Sequence, residues 1–103
     1  MTDKTMTGKP IIMTVLFEAL PGKEAELRKA LTGLLAPTRQ EDGCLFYDLH
    51  VAADNPSKLL FHESWASDEH HKAHDRTPHI QALRARIGEL SLPAVKTWWE
   101  KIG

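Results

Sequence analysis

The sequence lacks most of the features that mark specialised classes of protein. It has a single cysteine, Cys44, which excludes an internal disulfide framework and fits a reducing compartment. No apolar run approaches the roughly 18 residues that a membrane helix needs, and the opening MTDKTMTGKP has no apolar signal-peptide region. The formal charge is −1 with both signs intermixed, so neither nucleic acid nor an anionic membrane is an expected partner. These absences predict a cytoplasmic protein.

The composition is that of one globular domain. With 103 residues, 42% of them hydrophobic, the chain can build one core and has no room for a second catalytic domain. Residues 1–9 have no apolar period and are predicted to be a flexible N-terminal tail. The domain is therefore expected to span residues 10–103.

Apolar periodicity predicts the order strand, helix, strand, strand, helix in two pieces, strand. The strands are predicted at 11–19, 44–52, 58–66 and 94–102. The first strand has apolar residues at both its odd and its even positions, which predicts burial on both faces. Residues 23–40 are predicted to form one amphipathic helix that is kinked, because the ring of Pro37 meets the carbonyl of Gly33.

The third strand and the helix after it concentrate the candidate functional residues. Phe61, Glu63 and Trp65 alternate onto one strand face. The chain then turns at Ser67-Asp68 into helical sequence that carries four of the six histidines, restarting at Thr77-Pro78 and continuing to Leu90. The spacing places His70 and His74 on one stripe. The adjacent His71 cannot share the face of His70 and is expected to be solvated.

This element order predicts an α+β fold, the ferredoxin-like split β-α-β arrangement with helices on one face of a four-stranded antiparallel sheet. The other face is left bare. Leu60 and one of the pair Trp98 and Trp99 must point to it. An apolar face of that size usually marks an interface, which predicts a homodimer that packs sheet against sheet.

Several stretches resemble a known family: GCLFYDLHVA at 43–52, DNPSK at 54–58 and LLFHESWASDEHHKAHDRTPHI at 59–80. They are similar to the cofactor-independent antibiotic biosynthesis monooxygenases, and most of all to small bacterial quinol monooxygenase-like members. The resemblance implies a dimeric α+β barrel with a substrate cavity between each subunit's sheet and helices. It also implies oxidation of a quinol or polyphenolic aromatic by O2 without metal or cofactor.

The chain departs from better-studied branches of this family. Antibiotic-pathway members use an asparagine, a tryptophan, a tyrosine and an arginine; Trp65 matches the tryptophan, but the only asparagine, Asn55, lies in a loop and does not correspond. The haem-degrading branch has a histidine near the place of His74, yet it also has an asparagine on the first strand, which IIMTVLFEA lacks. A third branch isomerises a small phosphorylated hydroxyketone and shares a histidine followed by Thr-Pro-His, as at 74–79.

The chemistry of the resemblance assigns roles to particular residues. Cofactor-free oxygenation requires a base that removes a phenolic proton and an apolar site that holds the anion. His74 is the first candidate for the base and His79, an auxiliary polar group, the second. Trp65 and Phe61 are candidates for a flat wall that binds the substrate ring. Tyr47, which faces away from His50 on its strand, is a candidate hydrogen-bond donor. Glu63 would be an inward carboxylate that needs a partner, either a histidine or Arg39.

Other interpretations of the same residues remain open. The protein could be an isomerase of a small hydroxyketone, or a haem or small-ligand binding protein without turnover. His74 could be a structural histidine, Trp65 plain core, Glu63 a member of an ion pair and Cys44 a small buried residue. His70 and His74 have a spacing that two ligands of one metal ion use, but a third ligand is not evident, so no metal site is predicted.

Overall fold

The computed structural model describes residues 9–103 and divides them into four strands and four α-helices. The strands are β1 (Ile11–Glu18), β2 (Cys44–Ala52), β3 (Asn55–Trp65) and β4 (Val95–Trp99). The helices are α1 (Glu24–Thr32), α2 (Leu35–Arg39), α3 (Asp68–Asp75) and α4 (Pro78–Arg84), followed by a 3-10 turn at Ile87–Glu89. Residues 1–8 of the predicted tail lie outside the described residues.

The four strands form one antiparallel sheet in the order β2-β3-β1-β4. This is the predicted ferredoxin-like topology, in which the first and third strands are central. The side chains of β1 that face the helices, Met13, Val15 and Phe17, are buried, whereas Ile12, Thr14 and Leu16 between them are half-buried. The prediction that β1 is buried on both faces is therefore wrong for the single subunit, because no helix covers the second face.

The segment at 23–40 forms two helices, so the prediction of one kinked helix is wrong. Pro37 has no N–H and cannot bond the carbonyl of Gly33. At the break the N–H of Leu34 donates to the carbonyl of Leu31, 3.1 Å away and three residues back. Gly33 and Leu34 keep right-handed helical dihedrals, so the backbone between the two helices stays in the helical region. The break falls where the proline predicts it.

Three other boundaries differ from those predicted. β3 begins at Asn55 because the turn before it is short and Asn55 Oδ1 accepts from Ser57 N–H at 3.0 Å, which satisfies that amide within the strand. Pro56 is tolerated since β1 pairs with β3 only from Lys58 onward. The last helical stretch ends at Arg84 and continues as the 3-10 turn. β4 stops at Trp99 instead of continuing to residue 102.

The two faces of the sheet differ in what covers them. The helices cover the inner face, where Trp65, Phe61 and Met13 are among the largest fully buried side chains. The outer face carries Ile12, Leu16, Leu60, Val95 and Trp99, with Val95 58% and Trp99 55% exposed. Pairing of Ile12 with Trp99 and of Met13 with Trp98 assigns Trp99 to the outer face and Trp98 to the inner one. Among the described residues, no helix has the length and apolar character needed to cross a membrane.

Candidate active site

A cavity of about 390 Å³ lies between the inner face of the sheet and the layer formed by α3, α4 and the 3-10 turn. Most of its wall is apolar and includes Met13, Val15, Phe17, Leu34 and Ile80. Tyr47, Glu63, His71 and His74 line it where α3 approaches β2 and β3, and Asp75, Arg84, Ser91 and Lys96 add further polar and charged groups to the wall. A hollow that is mainly apolar with some polar groups in its wall suits a small aromatic ligand.

His74 is the buried histidine in the last turn of α3. Its Nδ1 lies 2.9 Å from Oε2 of Glu41, and because a carboxylate oxygen accepts, Nδ1 carries the proton. Burial lowers the pKa of His74, while the hydrogen bond and charge of Glu41 act in the opposite direction. The ring is thus neutral near pH 7, with the lone pair on Nε2. This is the arrangement of a general base whose ring orientation is fixed by a carboxylate.

Glu41 is the site residue that sequence reasoning missed; only its position in a turn was predicted. Its side chain is 13% exposed and its Oε2 contacts both His74 and His79. One signal could have found it. Pairing of β2 with β3 sets Cys44 opposite Trp65, so the turn before β2 must lie beside the start of α3.

The turn that carries Glu41 is fastened to α3. Gly43 adopts a φ of +81°, and its carbonyl accepts from Ala66 N–H at 2.8 Å. The ring of His70 lies over Gly43, where a Cβ would overlap it. His70 also lies 3.3 Å from Asp42 and 2.7 Å from the hydroxyl of Ser67. His70 therefore holds the turn and does not face the cavity.

His71 is buried and lines the cavity, so the prediction that it is solvated is wrong. Ser67 caps α3, accepting from His70 N–H, and the helix begins at Asp68. This phase turns His71 and His74, three residues apart, towards the sheet. The predicted stripe of His70 and His74 is therefore right for His74 and wrong for His70, whose place is taken by His71. Spacing alone gives two such stripes, and only the packing of α3 selects one.

His79 is the second residue of α4, and its Nε2 lies 2.6 Å from Oε2 of Glu41. It is absent from the lining of the cavity. It faces instead a groove between α1 and α4 that also includes Glu26, Lys29 and Arg86. The structure brings His74 and His79 together through Glu41, but places only His74 at the cavity.

Phe61 and Tyr47 both line the cavity and stack on one another, with ring centroids 4.5 Å apart and an angle of 25° between the planes. Burial raises the pKa of the Tyr47 hydroxyl far above its ordinary value, with a further contribution from the charge of Glu63. Tyr47 therefore stays protonated and can donate a hydrogen bond. The pair forms a flat aromatic wall next to His74.

Trp65 is fully buried and does not line the cavity. Its ring packs against His74, with centroids 4.6 Å apart at 34°, and its Nε1–H donates to Oε1 of Glu63 at 2.9 Å. Trp65 thus lies behind the wall and touches two ionisable residues that do line the cavity. The structure separates it from Phe61, with which it was grouped as a substrate wall.

Glu63 is a buried carboxyl whose pKa burial raises to about 7, although the hydrogen bond from Trp65 acts in the opposite direction. Neither predicted partner reaches it with an ion pair. Arg39 donates to the carbonyl of Tyr47 at 3.0 Å and to Asp48 at 3.4 Å, at the edge of the sheet. Glu63 is held by the indole N–H alone among the hydrogen bonds of the described residues.

Within the described residues, one group offers the donor set of a transition-metal site: Glu41, His74 and His79, with potential ligand atoms all within 4.8 Å of one another. This set differs from the His70 and His74 pair that the sequence suggested. Oε2 of Glu41 already lies at hydrogen-bond distance from both imidazole nitrogens. The three groups therefore satisfy one another without an ion.

Comparison with known proteins identifies relatives of nearly the same size. Residues 10–86 match the family described as "Antibiotic biosynthesis monooxygenase". The chain is 37% identical over 81 residues, 79% of either length, to "Putative monooxygenase Rv0793" of Mycobacterium tuberculosis. The structure of Rv0793 superimposes with a TM-score of 0.86 and 32% identity, covering 92% of this chain and 97% of that one. PA3566 from Pseudomonas aeruginosa gives a TM-score of 0.90 at 26% identity, covering 97% and 100%.

Proposed function

The chain belongs to the antibiotic biosynthesis monooxygenase family, and on that premise we propose that it oxidises a quinol or polyphenolic aromatic with O2 without metal or organic cofactor. The observation that carries the proposal is the Glu41–His74 pair, at 2.9 Å, beside a cavity walled by the stacked rings of Tyr47 and Phe61. The Glu41–His74 pair supplies an oriented base, and the stacked rings of Tyr47 and Phe61 supply a surface for an aromatic ring.

The first step is removal of a phenolic proton. The hydroxyl gives its proton to Nε2 of His74, and the carboxylate of Glu41 stabilises the imidazolium that forms. The phenolate remains in an apolar hollow, where little water competes for it and Tyr47 can donate a hydrogen bond. His74 suits this step because burial lowers its pKa and keeps it unprotonated near neutrality.

The anion then reacts with O2 directly. It transfers one electron to O2, and the resulting ring radical and superoxide join through a new carbon–oxygen bond. Protonation gives a ring hydroperoxide, whose O–O bond breaks as the hydrogen on the same carbon leaves as a proton. The products are a hydroxylated quinone and water, so one oxygen atom of O2 enters each. His79 acts in this scheme through Glu41, on the side away from the cavity.

Isomerisation of a small hydroxyketone is the second candidate, and Glu63 is the observation that favours it. Glu63 and His74 line one cavity, and two acid–base groups that can exchange protons with a substrate are what an enediol-type isomerisation requires. This reaction would proceed without O2. Retention of turnover under anaerobic conditions therefore separates it from oxygenation.

The test is oxygen uptake with a panel of hydroquinones, using His74→Gln and His50→Gln as a matched pair. His50 is exposed on β2 and is not part of the cavity lining, so its variant should keep the wild-type rate. Loss of the base should lower kcat by about 100-fold or more. Equal rates in wild type and His74→Gln would remove His74 from the mechanism. A Soret shift on haem titration without oxygen uptake would favour a binding protein instead.

The proposal includes a homodimer that packs the outer sheet faces together in the cytoplasm, where the thiol of Cys44 stays reduced. Support comes from the half-exposed Trp99 and Val95 beside Leu60 and Leu16 on that face. The hydrogen bond from Trp99 Nε1–H to Thr14 Oγ1, 2.9 Å, fixes the indole across the face. Burial of such a surface against a second copy would remove it from water.

A further inference from the structure

Glu63 lines the cavity but has no role in the first step of the proposed reaction. Its carboxyl is buried, lines the same cavity as His74 and is reached by one hydrogen bond, from Trp65. The same indole packs against the His74 ring at 4.6 Å. One fully buried side chain therefore contacts two ionisable groups that line one cavity.

The later steps of oxygenation need a proton donor in this cavity. When the ring hydroperoxide breaks down, a base takes the proton from ring carbon and the departing oxygen must receive a proton to leave as water. His74, neutral again after protonating the peroxide, can serve as that base. It cannot donate at the same moment, so a second group must supply the proton.

We propose that Glu63 is the acid that protonates the departing peroxide oxygen, and that Trp65 is the residue that positions it relative to His74. This inference rests on the proposed monooxygenase function. The proton balance closes: the ring proton goes to His74, the Glu63 proton goes to the departing oxygen, and the imidazolium then returns a proton to the Glu63 carboxylate. No additional oxidant or reductant is needed.

The environment of Glu63 suits a group that gives and regains a proton. Burial is the main cause that raises its pKa to about 7, and the Trp65 hydrogen bond limits the rise. The charges around it come from several elements, and they include Asp75 and Lys96, which oppose each other, and Glu41. Tyr47, His71 and His74 share the cavity with it. Both forms of the carboxyl are therefore accessible near neutral pH.

The direct test is Glu63→Gln, in which the amide oxygen can still accept from Trp65 but no acidic proton remains. Without the donor, the hydroperoxide should expel hydrogen peroxide instead of water, giving plain quinone and H2O2 from the same quinol and O2. We expect formation of the hydroxylated product to fall about 100-fold while H2O2 accumulates. Incorporation of oxygen from labelled O2 and a peroxide assay measure the two routes.

Trp65→Phe tests the positioning role, since the ring remains against His74 but the N–H is lost. The lost hydrogen bond had lowered the pKa of Glu63, so the alkaline limb of hydroxylated-product formation should move to higher pH. Trp98→Phe is the matched control, because Trp98 contacts His71 and makes no hydrogen bond to Glu63. An unmoved limb in Trp65→Phe would overturn its positioning role.

A measurement without substrate keeps the two proposals apart. In the resting protein, the infrared carbonyl band of a buried carboxylic acid should titrate near pH 7, vanish in Glu63→Gln and persist in Asp48→Asn, which removes an exposed carboxyl. Wild-type turnover with an unchanged product ratio in Glu63→Gln overturns the acid role and leaves the monooxygenase function standing. If no quinol supports oxygen uptake by wild type, the function fails, and the infrared band still decides whether Glu63 is the buried acid.

Discussion

The inner and outer faces of the sheet are made by the same four strands, yet they differ in nearly every property. The inner face is covered by helices and encloses a cavity whose wall includes ionisable groups. The outer face carries apolar side chains, among them Leu16, Leu60 and Trp99, beside polar ones such as Thr14 and Asp48, and no helix covers it over the described residues. Trp98 and Trp99 make the contrast within one dipeptide: each is 55% exposed, but one contacts His71 and the other Thr14. The proposed chemistry therefore uses the inner face of the sheet, and the proposed homodimer uses the outer face.

The largest effect is expected from a charged side chain on the outer face of the sheet. Trp99→Lys is expected to weaken the proposed homodimer by about 1,000-fold, roughly 4 kcal/mol, because a lysine would be buried against an apolar partner face. Sedimentation across a range of concentrations measures the change. Trp98→Lys is the matched control, equally exposed but on the inner side, and should remain dimeric. Dissociation by both variants alike would show that face does not decide assembly.

The inner face should carry a cost in stability that the outer face lacks. Glu63→Gln is expected to stabilise the fold by about 3 kcal/mol near pH 8, since burial raises the pKa of Glu63 from 4.5 to about 7. Between these values the folded chain holds a proton that the unfolded chain has released. Wild-type stability is therefore full below pH 4.5 and falls as pH rises through 7.

Urea unfolding near pH 4.5 and near pH 8 measures this difference. The gain from Glu63→Gln should almost disappear at the lower pH, where Glu63 is protonated in the folded state and already about half protonated in the unfolded state. Asp48→Asn, on the outer side of β2 and half-exposed, should change stability by less than about 0.5 kcal/mol at either pH. A gain for Glu63→Gln that is equal at both pH values would contradict the ionisation account.

Glu41→Gln sharpens the definition of the inner site. We expect kcat to fall about 100-fold, roughly 2.7 kcal/mol, because the imidazolium of His74 loses its carboxylate. The hydrogen bond and charge of Glu41 raise the pKa of His74, so their removal should move the acidic limb of kcat/KM to lower pH. Asp42→Asn, the exposed neighbour on the same turn, should leave both quantities at wild-type values. If the acidic limb of kcat/KM does not move in Glu41→Gln, Glu41 does not influence the pKa of His74.

The smallest expected effect concerns the turn that connects the site to the sheet. Gly43→Ala should destabilise the fold by about 2 kcal/mol, because a side chain at φ +81° is strained and its Cβ would overlap His70. Gly22 has the same φ, but nothing lies within 4 Å of its Cβ position. Gly22→Ala should therefore cost only the backbone strain, about 1 kcal/mol. Equal losses in thermal unfolding would mean that His70 does not hold the turn.

Patterns within one segment predicted much of the fold. The limits of β2 and the turn before it follow from apolar and aromatic residues bounded by Gly43 and by residues 53–57, which were predicted to be a loop. Pro37 predicted a bend at Gly33, where the structure has a break between two helices, and the turn predicted at Ser67-Asp68 is where α3 begins. The phase of α3 was not predictable in this way. His70 and His71 are adjacent and equally polar, and only packing on the sheet turns His71 inward.

The sequence by itself determined the order of elements and the alternation of Phe61, Glu63 and Trp65 on one strand face, because these depend on local spacing, and its motifs carried the resemblance to the family. Only the tertiary structure decided that Glu41 orients His74, that Trp65 lies behind the cavity and that His79 faces a separate groove. Glu41 lies 33 residues from His74 along the chain, and no periodicity extends across that distance. The contact exists because strand pairing brings the turn before β2 to the start of α3.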